Sequence, residues 1–136
     1  MWQLARFNVK TWHAGKSVYQ GISNVNNFSI GIEIVNPGKL EASPKGAKAW
    51  FGDVYGVDEY RIEHRKTPYH GEGLWMPYTV EQIDCVTSIC TKLFRAYPTL
   101  LDITTHWEIS PGRKVDTNPL FPLEHVNSKV KGRETR

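Results

Sequence analysis

The sequence predicts a single α/β or α+β domain built on a mixed β-sheet, and three observations support this fold class. The chain has 136 residues, enough for one hydrophobic core and too few for two. Apolar residues alternate with period two at residues 28–35, which predicts a β-strand, and recur at helical spacing over residues 79–97. The elements follow in the order strand, strand, long loop, helix, strand and loop, which is typical of a sheet combined with helices.

Two strands are predicted in the first third of the chain. Residues 2–9 alternate imperfectly, whereas residues 28–35, FSIGIEIV, place their isoleucines on one face. Gly31 lies on the opposite face, and a glycine inside a strand indicates the close approach of another backbone or of a ligand. The segment between the strands is rich in Gly, Ser and Asn, so it predicts an ordered loop.

Residues 36–78 show no sustained periodicity and contain several Gly, Pro and aromatic residues. This composition predicts a long loop with a short helix near Val57–His64. A loop of this length in a small domain is commonly functional.

The clearest predicted element is the helix over residues 79–97. Thr79 can cap its N-terminus, and Gln82, three residues on, completes a capping-box pattern. Pro98 ends the helix.

The last third of the chain predicts a short strand at Asp102–Thr105, a polar and proline-rich loop, and a short helix from Leu123. We expect the domain to span residues 1–125 and residues 126–136 to form a basic, flexible tail.

Composition excludes several classes of protein. With 40% hydrophobic and 23% charged residues, the chain is not disordered or fibrous, and no apolar run approaches the length of a membrane span. The net charge of +3 is too mild to predict nucleic-acid binding. The N-terminus has no apolar core typical of a signal peptide, which favours a cytoplasmic or phage-released protein. Cys85 and Cys90 lie on one predicted helix at a spacing that prevents them from pairing with each other, and both are predicted to be small buried or half-buried thiols.

His106 and Asp116 are candidate metal ligands on a proline-stiffened loop. Imidazole and carboxylate both bind zinc, and a catalytic zinc needs three protein ligands. Lys114 could stabilise an oxyanion beside such a metal. Judged from their spacing alone, the alternative is that His106, Asp116 and Lys114 are ordinary surface or hydrogen-bonded residues.

Glu33 lies on an apolar strand, where a buried carboxylate is costly unless it is paired. It is a candidate general base, or else a solvent-facing residue of an edge strand. His13 could be a substrate contact, a metal ligand or a packed structural histidine. The remaining histidines have no partners at ligand spacing, so we interpret His64, His70 and His125 as surface or loop residues.

Four motifs, in order, resemble one family: WHAGKS, NNFSIGIEIVNPG, YTVEQ and HWEISPGRKVDTNPLFP. From about Trp2 to Pro122 the chain is similar to the zinc-dependent N-acetylmuramoyl-L-alanine amidases of type 2, which are related to peptidoglycan recognition proteins and phage endolysin amidases. The resemblance implies a mixed central sheet flanked by helices, with Zn²⁺ in a groove. It also implies hydrolysis of the amide between the lactyl group of N-acetylmuramic acid and L-alanine, in peptidoglycan or a muropeptide.

The resemblance also implies roles for individual residues. By position, His106 and Asp116 match two zinc ligands, Glu33 the catalytic glutamate, and Lys114 the lysine beside the last ligand. The wall of the substrate groove would come from the long loop, with Trp50 and Trp75, and His13 is a further candidate for substrate binding.

In the family, the first zinc ligand is a histidine on a strand well upstream of WHAG, and only eleven residues precede Trp12 here. We therefore expect that the first strands are missing and that the third ligand is unassigned, with His13 as a possible substitute. An open sheet edge would favour self-association. The alternative function is a non-catalytic peptidoglycan-binding module or an inactive fragment of such an amidase.

Overall fold

The structure, a computed structural model, describes residues 1–132. It contains seven short strands, a single 3-10 turn at Val25–Asn27 and three α-helices. The strands are β1 (Val18–Tyr19), β2 (Ile22–Ser23), β3 (Glu41–Ser43), β4 (Gly46–Lys48), β5 (Val54–Tyr55), β6 (Glu63–Thr67) and β7 (Gly71–Trp75), and the helices are α1 (Val80–Ala96), α2 (His106–Ile109) and α3 (Leu123–Gly132).

The predicted class, a domain that mixes strands and helices, is confirmed, but the strands lie where the sequence predicted loops. Within the described residues they form three small antiparallel sheets, β1–β2, β3–β4–β5 and β6–β7. Leu40 and Leu74 exchange backbone hydrogen bonds of 2.9 and 3.1 Å, which tie the last two sheets together. Five of the seven strands therefore belong to residues 36–78, which were predicted to be one long loop.

The helix predicted near Val57–His64 is wrong. Residues 57–61 form a turn, in which the amide of Ile62 donates to the carbonyl of Val57, and β6 begins at Glu63. Arg61 has a φ of 53°, a left-handed conformation that an L-residue does not adopt inside an α-helix.

The strands predicted at residues 2–9, 28–35 and Asp102–Thr105 are also wrong, because no strand within residues 1–132 pairs with any of them. A strand exists only where a neighbour completes its hydrogen-bond ladder. The apolar alternation of residues 28–35 instead reflects packing, since Ile34 and Ile103 lie against the core of α1 and α3. A groove of about 570 Å³ runs between residues 28–34, α1 and residues 99–105.

Helix α1 confirms the predicted helix and its cap. The amide of Gln82 donates to the Thr79 hydroxyl at 3.1 Å, and the amide of Thr79 donates to the Gln82 side chain at 3.0 Å. The buried face of α1 packs on α3 in one apolar cluster, formed by Val86, Cys90, Phe94, Val126 and Val130.

Helix α3 confirms the helix predicted from Leu123, and it continues to Gly132. Val126 and Val130 have no exposed surface, so residues 126–132 of the predicted tail are helical and help to form the core. The rest of that prediction, residues 133–136, lies outside the described residues.

Both cysteines are free thiols, as predicted, but Cys85 is exposed, so the prediction that it is buried or half-buried is wrong. Cys90 is buried, and burial raises the pKa of its thiol. Within residues 1–132, no helix has the length and apolar character needed to cross a membrane.

Candidate functional site

The site is centred on a contact between His106 and Asp116. His106 is the first residue of α2, a single helical turn that sequence analysis missed because it is so short. The chain then loops back, and the amide of Trp107 donates to the carbonyl of Asp116 at 2.8 Å. Nδ1 of His106 consequently lies 3.0 Å from Oδ2 of Asp116. The structure brings together the two residues that were predicted as metal ligands.

The ring of His106 is held in one orientation. Its Nε2 donates to the carbonyl of Ala14 at 2.9 Å, which leaves Nδ1 directed at the carboxylate. The His106 side chain is 17% exposed, against 59% for Asp116. A metal-binding histidine commonly donates its second N–H to a backbone carbonyl in this way.

Arg113 attaches the WHAGKS loop (residues 12–17) to the loop that follows α2. Its Nη2 donates to the carbonyls of Ala14 and Lys16, at 2.7 and 3.0 Å, and to the hydroxyl of Ser110 at 3.0 Å. The guanidinium presses against Gly15, where a Cβ would lie 2.9 Å from Nη2. Sequence reasoning overlooked Arg113, although the fork of donors on an arginine suits a loop with several free carbonyls.

His13 is a packed structural histidine in this structure. The Ser29 hydroxyl donates to the carbonyl of Val25, so it accepts from Nε2 of His13 at 2.7 Å. Nδ1 of His13 then accepts from the Thr11 hydroxyl, also at 2.7 Å. This pattern is compatible with a neutral ring, and burial lowers the pKa of His13 below its ordinary value.

Glu33 and Lys114 lie close to this arrangement without completing it. Glu33 is exposed, and its charge acts on His13, whose pKa it raises slightly against the larger effect of burial. Lys114 is half-buried, and its amide donates to the carbonyl of Ser110 at 3.0 Å. Among the described residues, the side chains of Glu33 and Lys114 make no hydrogen bond to His106 or Asp116.

The two predicted tryptophans have opposite environments. Trp50 is 88% exposed at the turn between β4 and β5, where it stacks edge-on against Phe51. Trp75 has no exposed surface and ends β7 inside the fold. A side chain without exposed surface cannot touch a substrate, so Trp75 is a core residue and the prediction that it binds substrate is corrected.

His70 was interpreted as a surface or loop residue, and it does lie in a turn, but it is buried rather than at the surface. It is 6% exposed in the turn between β6 and β7, and its Nε2 donates to the carbonyl of Thr117 at 2.9 Å. The Thr67 hydroxyl donates to its Nδ1 at 2.8 Å. The sequence gives no signal for this contact, because the acceptor is a backbone atom 47 residues away.

The donor set fits part of a zinc site. His106 and Asp116 supply one nitrogen and one oxygen, both suitable for zinc, where a catalytic zinc takes three protein ligands. In the described part of the chain, no group of three or more His, Cys, Asp or Glu side chains is placed to hold a metal ion. His13 does not complete the set in this structure, because its ring nitrogens contact the hydroxyls of Thr11 and Ser29.

Comparison with known proteins agrees with these motifs. Residues 1–119 match the family described as N-acetylmuramoyl-L-alanine amidase, Amidase_2. The chain is 31% identical over 129 residues to the 1,6-anhydro-N-acetylmuramyl-L-alanine amidase AmpD of Enterobacter cloacae, an alignment that covers 94% of this chain and 50% of that protein.

Two further relatives give the same result. The AmpD protein of Haemophilus influenzae is 28% identical, over 95% of this chain and 52% of its own length. The N-acetylmuramoyl-L-alanine amidase AmiD of Escherichia coli is 25% identical, over 93% and 36%. The chain spans about half the length, or less, of these relatives. Because the family match covers most of the chain, the protein belongs to the N-acetylmuramoyl-L-alanine amidase family.

Proposed function

We propose that this protein hydrolyses the amide between the lactyl group of N-acetylmuramic acid and L-alanine, in peptidoglycan or in muropeptides released from it. The observation that supports this activity most directly is the His106–Asp116 contact of 3.0 Å, with the imidazole fixed by Ala14. Membership of the family and the names of the AmpD and AmiD relatives favour the same reaction.

The proposal includes Zn²⁺ as the cofactor, with Nδ1 of His106 and Oδ2 of Asp116 as two of its ligands. When bound, zinc supplies a Lewis acid that polarises a carbonyl and makes a water molecule nucleophilic near neutral pH. The hydrogen bond from His106 to Ala14 holds the imidazole in the tautomer that leaves Nδ1 free to bind the metal. The third ligand remains unassigned.

The other site residues have proposed roles in proton transfer and charge stabilisation. Glu33, an exposed carboxylate whose charge reaches His13, accepts a proton from the attacking water. Lys114, on the short loop between α2 and Asp116, stabilises the negative charge that develops on the amide oxygen. His13 stays a candidate for substrate binding through its position in the WHAGKS loop, and Trp50 through its exposed ring.

The second candidate function is a module that binds peptidoglycan without cleaving it. It is favoured by the donor set, in which the described residues supply two metal ligands rather than three. A module of this kind would keep the substrate groove and would lose the reaction. Roles in cell-wall degradation or phage-type lysis depend on the first candidate.

Release of the stem peptide distinguishes the amidase from the non-catalytic binding module. The purified chain is incubated with added zinc and with either intact peptidoglycan or a 1,6-anhydro-muropeptide, and released peptide is measured by chromatography. We expect release that a chelator abolishes, that His106→Ala abolishes, and that His125→Ala leaves intact, since His125 is an exposed residue of α3. Retention on peptidoglycan by a folded chain that releases no peptide would contradict the amidase and support the binding module.

The open apolar segment also supports a proposal of self-association. Residues 29–35 have no strand partner within residues 1–132, and Ile32 is 40% exposed beside the groove. An unpaired, apolar edge is a template for pairing with another chain. Sedimentation should detect an oligomer that Ile32→Lys dissociates and that Val57→Lys, at an exposed turn position, does not. A wild-type chain that sediments as a monomer at every concentration would contradict this proposal.

A further inference from the structure

Two aromatic rings pack against each other where the turn between β6 and β7 meets α2. Tyr69 lies in this turn and Trp107 directly follows His106 in α2. Their ring centroids are 4.7 Å apart and their planes are tilted by 38°. Because the amide of Trp107 also donates to the carbonyl of Asp116, the two rings have a fixed relation to the candidate metal ligands.

The ring of Tyr69 faces solvent. The residue is 52% exposed, although burying a tyrosine ring is favourable and many positions in a small domain could cover it. Trp107 is half-buried beneath it. The result is an aromatic surface, formed by Tyr69 and Trp107, that is open on one side and packed on the other.

The packed side of this aromatic surface is rigid. The ring of His70 lies 5.2 Å from that of Trp107 and 5.9 Å from the fully buried ring of Trp75, both edge-on. Hydrogen bonds to Thr67 and to the carbonyl of Thr117 fix the imidazole on both sides. A binding surface that is rigid before the ligand arrives loses little conformational entropy on binding.

We propose that the aromatic surface of Tyr69 and Trp107 is a binding site for a pyranose ring of the muramyl substrate. The proposal rests on the proposed function, since the sugar is part of the substrate proposed there. Within the described residues, no cation lies over either ring, which suits the uncharged face of a sugar better than the carboxylates of a stem peptide.

Calorimetric titration with two probes tests this site. The first probe is the peptide-free disaccharide N-acetylglucosaminyl-N-acetylmuramic acid, and the second is the free stem peptide. We expect Tyr69→Ala and Tyr69→Leu to weaken disaccharide binding about tenfold, the scale of losing an aromatic anchor. Peptide binding should not change, and Tyr69→Phe should bind the disaccharide nearly as well as the wild type.

Tyr60→Ala is the matched control. Tyr60 is also a partly exposed tyrosine, 41% accessible, and it packs edge-on against Tyr55 in a different turn. Disaccharide affinity that is the same in Tyr69→Ala and the wild type, an equal loss in Tyr60→Ala, or a wild-type chain that does not bind the disaccharide would each overturn the proposal.

The affinities of the two probes can be measured independently of catalysis, because neither probe contains the scissile amide. A chain that binds the disaccharide through Tyr69 but releases no stem peptide retains this site and fails as an amidase. A chain that releases peptide while Tyr69→Ala binds the disaccharide normally is an amidase without this sugar site.

Discussion

A Cβ atom on Gly31 would lie 2.6 Å from Cγ of His13, closer than two carbon atoms can approach. The absence of a side chain at Gly31 therefore allows the WHAGKS loop to lie directly against residues 28–35. We predicted that the glycine in this segment marks the close approach of a backbone or a ligand. A close approach is observed, but the approaching group is the imidazole side chain of His13.

Gly31→Ala should consequently destabilise the fold. Either the imidazole of His13 or the backbone at Gly31 must shift, and overpacking of this kind costs roughly 1–3 kcal/mol. Urea unfolding measures the loss of free energy of unfolding. Gly56→Ala is the control, because a Cβ there would meet Glu59 at an ordinary 3.5 Å, and an equal loss in both variants would contradict the steric explanation.

His13 should make the stability of the protein depend on pH. Burial lowers the pKa of His13 below its ordinary 6.5. It outweighs the hydrogen bond to the Thr11 backbone, which raises the pKa, while the charges of His106 and Glu33 have smaller and opposite effects. Below about pH 6.5 the unfolded chain therefore binds a proton that the folded chain does not bind, so the stability contributed by the neutral ring is present above pH 6.5 and decreases as the pH falls.

Urea midpoints at pH 7.5 and pH 5.5 check this expectation. The wild type should lose more stability between the two values than His13→Gln, which cannot titrate. Parallel losses in both proteins would mean that His13 titrates alike in the folded and unfolded states.

Thr79→Ala should destabilise helix α1 by about 1 kcal/mol, because it removes a cap that satisfies the amide of Gln82. Thermal unfolding measures the change. Ser88→Ala, on the exposed side of the same helix, should have little effect. If Thr79→Ala lowers the stability no more than Ser88→Ala does, the capping box does not contribute to stability.

Val126→Ala tests whether α3 is part of the core. Val126 is fully buried against α1, so truncation should cost about 2 kcal/mol by the transfer and cavity terms of a buried aliphatic residue. Val80→Ala provides the same chemical change at a position that is 72% exposed. If the two variants unfold at the same denaturant concentration, residues near 126 do not pack in solution as they do here.

The elements that the sequence predicted well depend on signals within a few residues. Helix α1 has its apolar period, the Thr79 cap and Pro98 in one stretch, and α3 has a similar apolar repeat. The extended segments at residues 28–35 and 102–105 have the pattern of strands, but a strand also requires a partner, which no local pattern can report. Strand β6, EHRKT, was missed for the opposite reason, because it is almost entirely polar and exposed and has no apolar alternation.

In the candidate site, too, the residues within one motif were predicted and the contacts between distant segments were not. His106 and Asp116 were predicted because one motif contains both of them and their spacing suits zinc. The contact between His70 and the carbonyl of Thr117, and two of the three hydrogen bonds from Arg113, end on backbone atoms in distant loops. Sequence patterns show which side chains are present and at what spacing. Hydrogen bonds to backbone atoms of a distant loop can therefore be identified only in the folded chain.

The hydrogen bonds between the WHAGKS loop and the segment around α2 also determine when the site can form. Those from His106, Ser110 and Arg113 to the carbonyls of Ala14 and Lys16 span 92 to 99 residues. Contacts of such long separation form slowly, because the chain must lose loop entropy before they can stabilise it. During synthesis, no site can exist until Asp116 has left the ribosome, and on refolding we expect the signal of α1 to return before that of the site.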